Sequence, residues 1–348
     1  GARSIRPDHS GGIGHSPAAT AAWLQQAEQY PDLSDGCTTA RQYLVNAEVA
    51  TGVDIPGVVP NVWPITGFEL AYAPYALLVT SLLHHPAIKT VVAPLLDKLW
   101  SIMQCGNGVS FGDYFTPDVD DTGLAMAVLE ATCRPVDAAV VLQFKQDDHF
   151  CTFHKELNPS ILANAHALYG LAQTDERYPA AENFLRNRQQ ADGRWPADKL
   201  HKSWLYTTLE AVLALNQLGY ASEVKKAVQG LISHQKIDHG WGSGQSATRL
   251  ETSYALIMLS ILHRAGLLND EEQQAMQHGY QWLRHLSQPY TFPGNRLWFG
   301  KELYAPYRVD RIYEISALLS VLLNSSLNEG QTDQGPSVPV YIAHDNML

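Results

Sequence analysis

The sequence predicts an all-α protein whose helices form an α/α toroid, and three features of the chain carry this prediction. Apolar residues recur at intervals of three and four along 161–173, 203–219 and 251–268, which is the stripe of a packed helix. Period-two alternation, which would indicate strands, is not evident. A unit that starts with Gln and ends with an aromatic residue recurs at intervals of 42 to 53 residues, enough for two helices and their connections.

The repeated units are expected to tie the end of one helical hairpin to the next, which is a structural role. They begin, in chain order, at Gln104, Gln146, Gln189, Gln235 and Gln288. A ring of such hairpins would enclose a cavity between its inner helices. Gly219 and Gly266 follow apolar stretches and are predicted to end helices. The tail, 326–348, is rich in Asn, Gly, Ser and Pro and is expected to be flexible.

The composition excludes several classes of protein. With 45% apolar and 17% charged residues among 348, the chain can bury a large core and is not disordered. A formal net charge of −11 argues against nucleic acid as a partner, because phosphate binding needs a basic surface. The four cysteines form no C-x-x-C pair, which predicts reduced, buried thiols in a cytoplasmic protein. No apolar run approaches transmembrane length.

Three aspartates crowd together at the start of an apolar helical stretch: Asp118, Asp120 and Asp121. One interpretation is structural. Thr116 would cap the helix, Pro117 would take its first position, and the acidic side chains would favour the positive end of the helix dipole. A second interpretation is a metal site, since several carboxylates together can hold Mg²⁺.

A third interpretation of the three aspartates is a proton donor. Mutual repulsion and burial would raise the pKa of at least one of them. A carboxylic acid that stays protonated beside an apolar cavity can protonate an alkene, and the resulting carbocation needs aromatic faces and no water. Most aromatic residues near the repeat ends are expected to be core or hairpin residues, and a few to line the cavity and bind substrate. The candidates are Trp204, Tyr206, Trp241, Trp298 and Tyr304.

The segment D-V-D-D-T, residues 118–122, resembles the D-x-D-D motif of class II terpene cyclases, in which the middle aspartate is the proton donor. Gln189, Gly193 and Trp195 are similar to the Q-x-x-x-G-x-W motif of triterpene cyclases. Further stretches resemble the diterpene branch, the class II diterpene cyclases of bacterial copalyl diphosphate synthase type, and lie in the same order: 16–24, 59–69, 150–153 and 297–309. The resemblance extends from residue 10 to about residue 310.

The resemblance implies roles for five residues. Asp120 would donate its proton to the terminal alkene of a prenyl chain, and Asp118 and Asp121 would tune or orient it. Asn164 aligns with an asparagine that hydrogen-bonds the acid, although a helix-face amide satisfied elsewhere is an equal alternative. Asn61 matches an asparagine that works with a histidine to position the deprotonating water. The matching position for that histidine is Gln26, a departure that leaves the base and the product enantiomer open.

The resemblance also implies a diphosphate held by cations and accompanied by Mg²⁺. Lys301 is the first candidate, because it lies in a matching segment, and Arg308, Lys199 and Lys202 follow. The alternative for each exposed lysine is an ordinary solvated surface residue. The ligands of the Mg²⁺ are unassigned.

In this family two α-barrel domains enclose the active site. Residues 1–66 would be the C-terminal part of a γ-like barrel, and 67–325 a β-domain barrel that carries the acid. The acid comes early and the chain does not begin with Met, so we expect an N-terminal portion to be missing. No D-D-x-x-D stretch follows the toroid, and the product is therefore expected to keep its diphosphate.

The function predicted is the cyclisation of geranylgeranyl diphosphate to a copalyl diphosphate, of the ent series, by an isomerase of the intramolecular lyase type. A class I terpene synthase would act downstream. A close alternative converts farnesyl diphosphate into drimenyl diphosphate, whereas sparse Gln-Trp repeats argue against squalene as substrate. Two further alternatives are a zinc-dependent protein prenyltransferase β subunit and a toroid that serves as a binding module, as in thioester-containing proteins.

Overall fold

The computed structural model describes residues 1–172, 176–287, 296–299 and 306–328. Within these ranges the chain forms 13 α-helices and no β-strand beyond isolated bridges, which confirms the all-α prediction. The helices are α1 (Pro17–Ala27), α2 (Ser34–Thr51), α3 (Thr66–Val79), α4 (Pro86–Met103), α5 (Val119–Ala131), α6 (Ala139–Leu142), α7 (Ile161–Leu171), α8 (Pro179–Arg186), α9 (Trp204–Gln217), α10 (Ala221–Ser233), α11 (Arg249–Arg264), α12 (Asp270–Leu286) and α13 (Tyr307–Asn328).

Alternate helices close into an inner ring. Helix α3 packs on α5, α5 on α7, α7 on α9, α9 on α11, and α11 on α13, which returns to α3. Helices α4, α8, α10 and α12 lie outside this ring, each against one or two inner helices. The predicted α/α toroid is therefore confirmed.

The burial pattern explains why the sequence folds in this way. Every residue of α7 is buried, and α5 is buried from Val119 to Leu129, because inner helices are covered on both sides. The outer helices α8, α10 and α12 bury one face and expose the other. Gly219 and Gly266 follow the ends of α9 and α11 with φ angles of 84° and 70°, as predicted for glycines that terminate helices.

The repeated Gln residues join neighbouring hairpins. The side-chain amide of Gln189 donates to the carbonyl of Glu223 in α10 at 2.8 Å. Gln235 makes the equivalent bond to the carbonyl of Ala275 in α12 at 3.0 Å. Trp195, at the end of the Gln189 unit, is completely buried. The predicted structural role of these two units is thus confirmed.

The N-terminal helices α1 and α2 share a small core of their own, which includes Trp23, Leu33 and Cys37, separate from the main core of the ring. The division at residue 66 into γ-like and β domains stays a prediction. The predicted tail begins too early, because α13 continues to Asn328; the later residues lie outside the described ranges. None of the described helices combines the length and apolarity needed to cross a bilayer.

All four cysteines are free thiols. Cys37 and Cys151 are buried, as predicted. Cys105 and Cys133 are exposed, so the prediction of buried thiols is wrong for them. They lie next to the C-terminal ends of α4 and α5, where the chain turns at the surface.

Candidate active site

Helix α5 begins at the three aspartates. Asp118 is the N-cap, with extended backbone angles, and its carboxylate accepts a hydrogen bond from the backbone N–H of Asp121 at 2.8 Å. Thr116 and Pro117 therefore precede the helix, and their predicted places as cap and first residue are wrong by two positions. Aspartate is the stronger N-cap of the two residue types, which explains the later start. Asp120 becomes the second residue of α5.

A cavity of about 600 Å³ opens at this end of the ring. Its described lining combines apolar and aromatic side chains with the three aspartates: Phe68, Phe111, Phe115, Thr116, Asp118, Asp120, Asp121, Thr152, Phe153, His154 and Leu200. Asp120 is only 8% exposed. An apolar cavity with a few convergent polar groups is the typical form of a small-molecule site.

Two neighbouring inner helices hold the carboxyl group of Asp120. The Tyr72 hydroxyl, from α3, donates to Oδ2 at 2.5 Å. The His166 ring, from α7, places Nδ1 2.7 Å from Oδ1. Tyr72 and His166 are both buried. Both oxygens of Asp120 are thus oriented by donors behind the cavity wall.

Two glycines bring α5 and α7 close enough for this contact. A Cβ on Gly123 would lie 2.7 Å from the backbone carbonyl of His166. A Cβ on Gly170 would lie 2.5 Å from the carbonyl oxygen of Gly123. Real Cβ atoms do not approach so closely, and the helices would have to separate. Gly123 lies three residues after Asp120, so its contact sets the distance between Asp120 and His166.

A second carboxylate lies on the far side of His166. Nε2 of His166 is 3.4 Å from Oε2 of Glu210 in α9, and Tyr75 donates to the same oxygen at 2.6 Å. Burial by itself lowers the pKa of His166, but Asp120 and Glu210 together outweigh it and raise that pKa to about 10. Burial and the charge of Asp120 raise the pKa of Tyr72 well above its usual value. At neutral pH the structure therefore holds a cationic His166 and a neutral Tyr72.

An aromatic cluster extends from Asp120 towards the centre of the ring. The Phe68 ring lies 4.1 Å from that of Tyr72, and Trp298 lies 5.2 Å from Phe68 and 5.3 Å from Tyr72. Tyr206 packs on Trp298 at 5.1 Å. The predicted aromatic residues Tyr206 and Trp298 are thus brought near the acid.

Trp204 and Trp241 occupy other parts of the fold. The indole N–H of Trp241 donates to the carbonyl of Leu231 at 2.9 Å, which makes Trp241 a hairpin residue like Trp195. Trp204 contacts the Arg194 guanidinium, 4.7 Å from its ring. Neither belongs to the described lining of the cavity, so their predicted role in binding substrate stays a prediction.

The predicted hydrogen bond from Asn164 to Asp120 is wrong. The Asn164 side chain accepts from the backbone N–H of Phe150 at 2.7 Å and donates to its carbonyl at 2.9 Å. His166 makes the contact instead. Successive residues of a helix are rotated by about 100° around its axis. Residues two positions apart, such as Asn164 and His166, therefore point to nearly opposite sides of α7. Asn164 therefore anchors the loop before α7, and His166 faces the ring.

Asn61, the predicted partner in positioning a water, is exposed, and so is Gln26. Asn61 lies in the loop before α3, and Gln26 in α1. Neither residue belongs to the described lining of the cavity.

The candidate cations for a diphosphate differ in their surroundings. Lys199 is paired with Glu156, and the Lys202 ammonium lies 5.1 Å from the centre of the Phe299 ring. Arg308 pairs with Glu69 at 3.2 Å. Lys301 and Tyr304 lie outside the described residues. The diphosphate site stays a prediction.

The Mg²⁺ expected beside the diphosphate stays a prediction. Among the described residues one group of three potential ligands has its donor atoms within 4.8 Å of one another, and it consists of Asp8, His9 and His15. Mg²⁺ prefers oxygen ligands, whereas two of these three residues offer imidazole nitrogen. The predicted metal is therefore not assigned to any side chain.

Comparison with known proteins gives three kinds of match. The family model for the squalene-hopene cyclase C-terminal domain matches residues 155–289. A (+)-kolavenyl diphosphate synthase of Herpetosiphon aurantiacus is 41% identical over 316 residues, which cover 91% of this chain and 60% of the relative. An ent-copalyl diphosphate synthase of a Streptomyces species is 33% identical over 313 residues, which cover 86% of this chain and 57% of the relative.

The fold matches as well. The structure of an ent-copalyl diphosphate synthase from Streptomyces platensis aligns with a TM-score of 0.74 and 29% identity, covering 92% of this chain and 62% of that one. The chain thus spans about 60% of the length of the curated relatives that it matches.

Proposed function

Because this chain belongs to the class II diterpene cyclases, we propose that it closes the rings of geranylgeranyl diphosphate by protonating the terminal double bond of the prenyl chain. Asp120 is the acid in this proposal, and the diphosphate stays on the product. One observation carries the proposal. Asp120 lies on the wall of an apolar cavity, with its two carboxyl oxygens held by His166 and Tyr72.

The surroundings of Asp120 suit the donation of a proton to a weak base. When the proton leaves, the carboxylate that remains is stabilised by the Tyr72 hydroxyl and by the cationic ring of His166. Glu210 keeps His166 charged from the other side. These donors are fixed before the reaction and need no reorganisation during it. Tyr72 and His166 are therefore proposed to position the acid and to make it stronger.

The cavity suits the carbocation that follows protonation. Phe68, Phe111 and Phe115 line it, and aromatic rings attract cations over their faces. Its volume of about 600 Å³ lies in the range of roughly 300 to 1,000 Å³ that is usual for small-molecule sites. The apolar side chains of the lining limit the contact of the cation with water that would capture it before ring closure.

The product is proposed to be a bicyclic diphosphate, which makes the reaction an isomerisation by an intramolecular lyase. Copalyl diphosphate is the first candidate, since two of the similar proteins are named as ent-copalyl diphosphate synthases. Kolavenyl diphosphate is the second, favoured by the relative that is 41% identical. A class I terpene synthase is the proposed consumer of the product. Mg²⁺ is proposed only as a companion of the diphosphate, and no step depends on it.

Mass spectrometry of the dephosphorylated products tests this proposal. The purified protein is offered geranylgeranyl and farnesyl diphosphate together, and the alcohols are compared with authentic copalol, kolavenol and drimenol. We expect a bicyclic C20 alcohol that is absent when Asp120 is replaced by Asn. If only a C15 product forms, the substrate is farnesyl diphosphate instead of geranylgeranyl diphosphate. Equal turnover by the wild type and Asp120→Asn would overturn the assignment of the acid.

A further inference from the structure

We propose that Asp8, His9 and His15 form a binding site for one divalent transition-metal ion of the Zn²⁺ class. The donor atoms of the three side chains lie within 4.8 Å of one another. All three residues belong to the segment that precedes α1. Two imidazoles and one carboxylate are a donor set that Zn²⁺ accepts, with a further position open to water.

His15 supplies the independent observation that points to a ligand. Its side chain is completely buried, and neither ring nitrogen makes a hydrogen bond of normal geometry within the described residues; the Pro64 carbonyl offers only a weak contact. Buried polar atoms are nearly always satisfied, because leaving them unpaired costs free energy. Around it lie the rings of His9 and Tyr114, with centroids at 5.7 and 5.0 Å. A metal ion bound between His15 and its neighbours would satisfy one of the two nitrogens.

Asp8 is already held in place by its own loop. Its Oδ1 accepts from the backbone N–H and the hydroxyl of Ser10 at 2.8 and 2.5 Å, and Oδ2 accepts from the N–H of Gly14 at 3.0 Å. A carboxylate has about four lone-pair positions, so capacity for a metal remains. Metal-binding carboxylates are usually hydrogen-bonded in this way, which fixes their orientation.

Asp113 connects this site to the start of the catalytic helix. Its Oδ2 lies 3.4 Å from Nε2 of His9, and its Oδ1 accepts from the Thr66 hydroxyl at 3.0 Å. Asp113 belongs to the loop that leads to α5, and Thr66 is the first residue of α3. A metal ion at this position would therefore fasten the N-terminal segment to the two helices that supply Asp120 and Tyr72. Its binding should stabilise the fold whether or not the proposed cyclisation is correct.

Titration of the chelator-treated protein with Zn²⁺ tests the site. Isothermal titration calorimetry is expected to show one saturable equivalent, with a rise in Tm on binding. His9→Gln replaces an exposed ligand, which avoids disturbing the core, and is expected to weaken binding by at least ~10-fold. His278→Gln is the matched control, since His278 is also exposed and also faces another histidine, His239, at 4.6 Å. It should bind Zn²⁺ like the wild type.

Three results would overturn the proposal: the absence of a saturable equivalent, equal weakening by both histidine variants, or displacement of Zn²⁺ by equimolar Mg²⁺. The last result would indicate oxygen ligands instead of imidazoles. None of these measurements uses substrate or turnover. The metal site can thus be confirmed or rejected independently of the proposed function.

Discussion

Nδ1 of His166 lies 2.7 Å from Oδ1 of Asp120, and the two side chains form a buried hydrogen-bonded pair between adjacent helices of the ring. His166 is completely buried, and its other nitrogen faces Glu210. One imidazolium thus contacts the carboxyl groups of both Asp120 and Glu210 in a part of the protein with little access to water. The charge of His166 is the feature that links the stability of the ring to the acidity of its proposed proton donor.

We predict that His166→Gln lowers kcat for geranylgeranyl diphosphate by about 10²–10³, with a smaller change in KM. The cation that stabilises the Asp120 carboxylate is lost, and general acid catalysis contributes roughly that factor. Asp120 and Glu210 also lose their shared cation, so unfolding should become easier by about 3–5 kcal/mol. Steady-state kinetics and urea denaturation measure the two effects.

His154→Gln is the control for that variant. His154 lines the same cavity but stacks on Phe144 at 4.7 Å instead of pairing with Asp120. Its kcat should stay within a few-fold of the wild-type value. If the two histidine variants lose activity equally, the contact between His166 and Asp120 is not what tunes the acid.

The ring could be predicted from the sequence because apolar periodicity and the Gln units report local structure and hairpin length. The partner of Asp120 could not. The family resemblance pointed to Asn164. Which side chain of α7 faces Asp120 depends, however, on how α5 and α7 are rotated about their axes against each other, and the structure places His166 there. The sequence does contain one signal: His166 is the only histidine of α7 and Glu210 the only acidic residue of α9, and both helices are mainly apolar.

Asp120→Asn should abolish product formation while the protein stays folded. The amide cannot donate a proton to an alkene, yet its oxygen can still accept one of the hydrogen bonds that Asp120 now accepts. Asp121→Asn is the matched comparison, one residue further along α5, and should retain part of the activity. Product analysis with circular dichroism separates loss of chemistry from loss of fold. Detectable bicyclic product from Asp120→Asn would refute the role of this residue.

Gly123→Ala should destabilise the protein by about 1–3 kcal/mol, because overpacking a core contact costs that much. The added methyl would collide with the backbone of His166 and push α5 away from α7. The Asp120–His166 distance would grow, so activity should fall even where the protein remains folded. Gly244→Ala is the control, since a Cβ there meets no atom within 4 Å. Equal unfolding free energies for the two variants would show that the helices are not packed as closely as described.

Asp310→Asn should stabilise the protein at pH 8 and leave it almost unchanged at pH 4. Burial raises the pKa of Asp310 to about 7, although the hydrogen bond from the Trp298 indole opposes the shift. The native state therefore binds a proton that the unfolded chain, with a pKa of 3.8, has released. The wild type must lose stability as pH rises from about 4 to 7. Asparagine carries no charge and keeps an acceptor for Trp298, so the variant should lose less stability than the wild type over this pH range.

The gain at pH 8 should reach a few kcal/mol, since each unit of pKa shift corresponds to about 1.4 kcal/mol. Urea denaturation at pH 4, 6 and 8 measures it, with the exposed Asp147→Asn as the control that should follow the wild type at every pH. His166 acts in the same direction at higher pH. Its pKa rises from 6.5 to about 10 on folding, so its stabilisation is complete below pH 6.5 and disappears as pH approaches 10. The Asp310→Asn variant should therefore still lose stability between pH 7 and 10, and a flat profile there would mean that His166 is not charged in the native state.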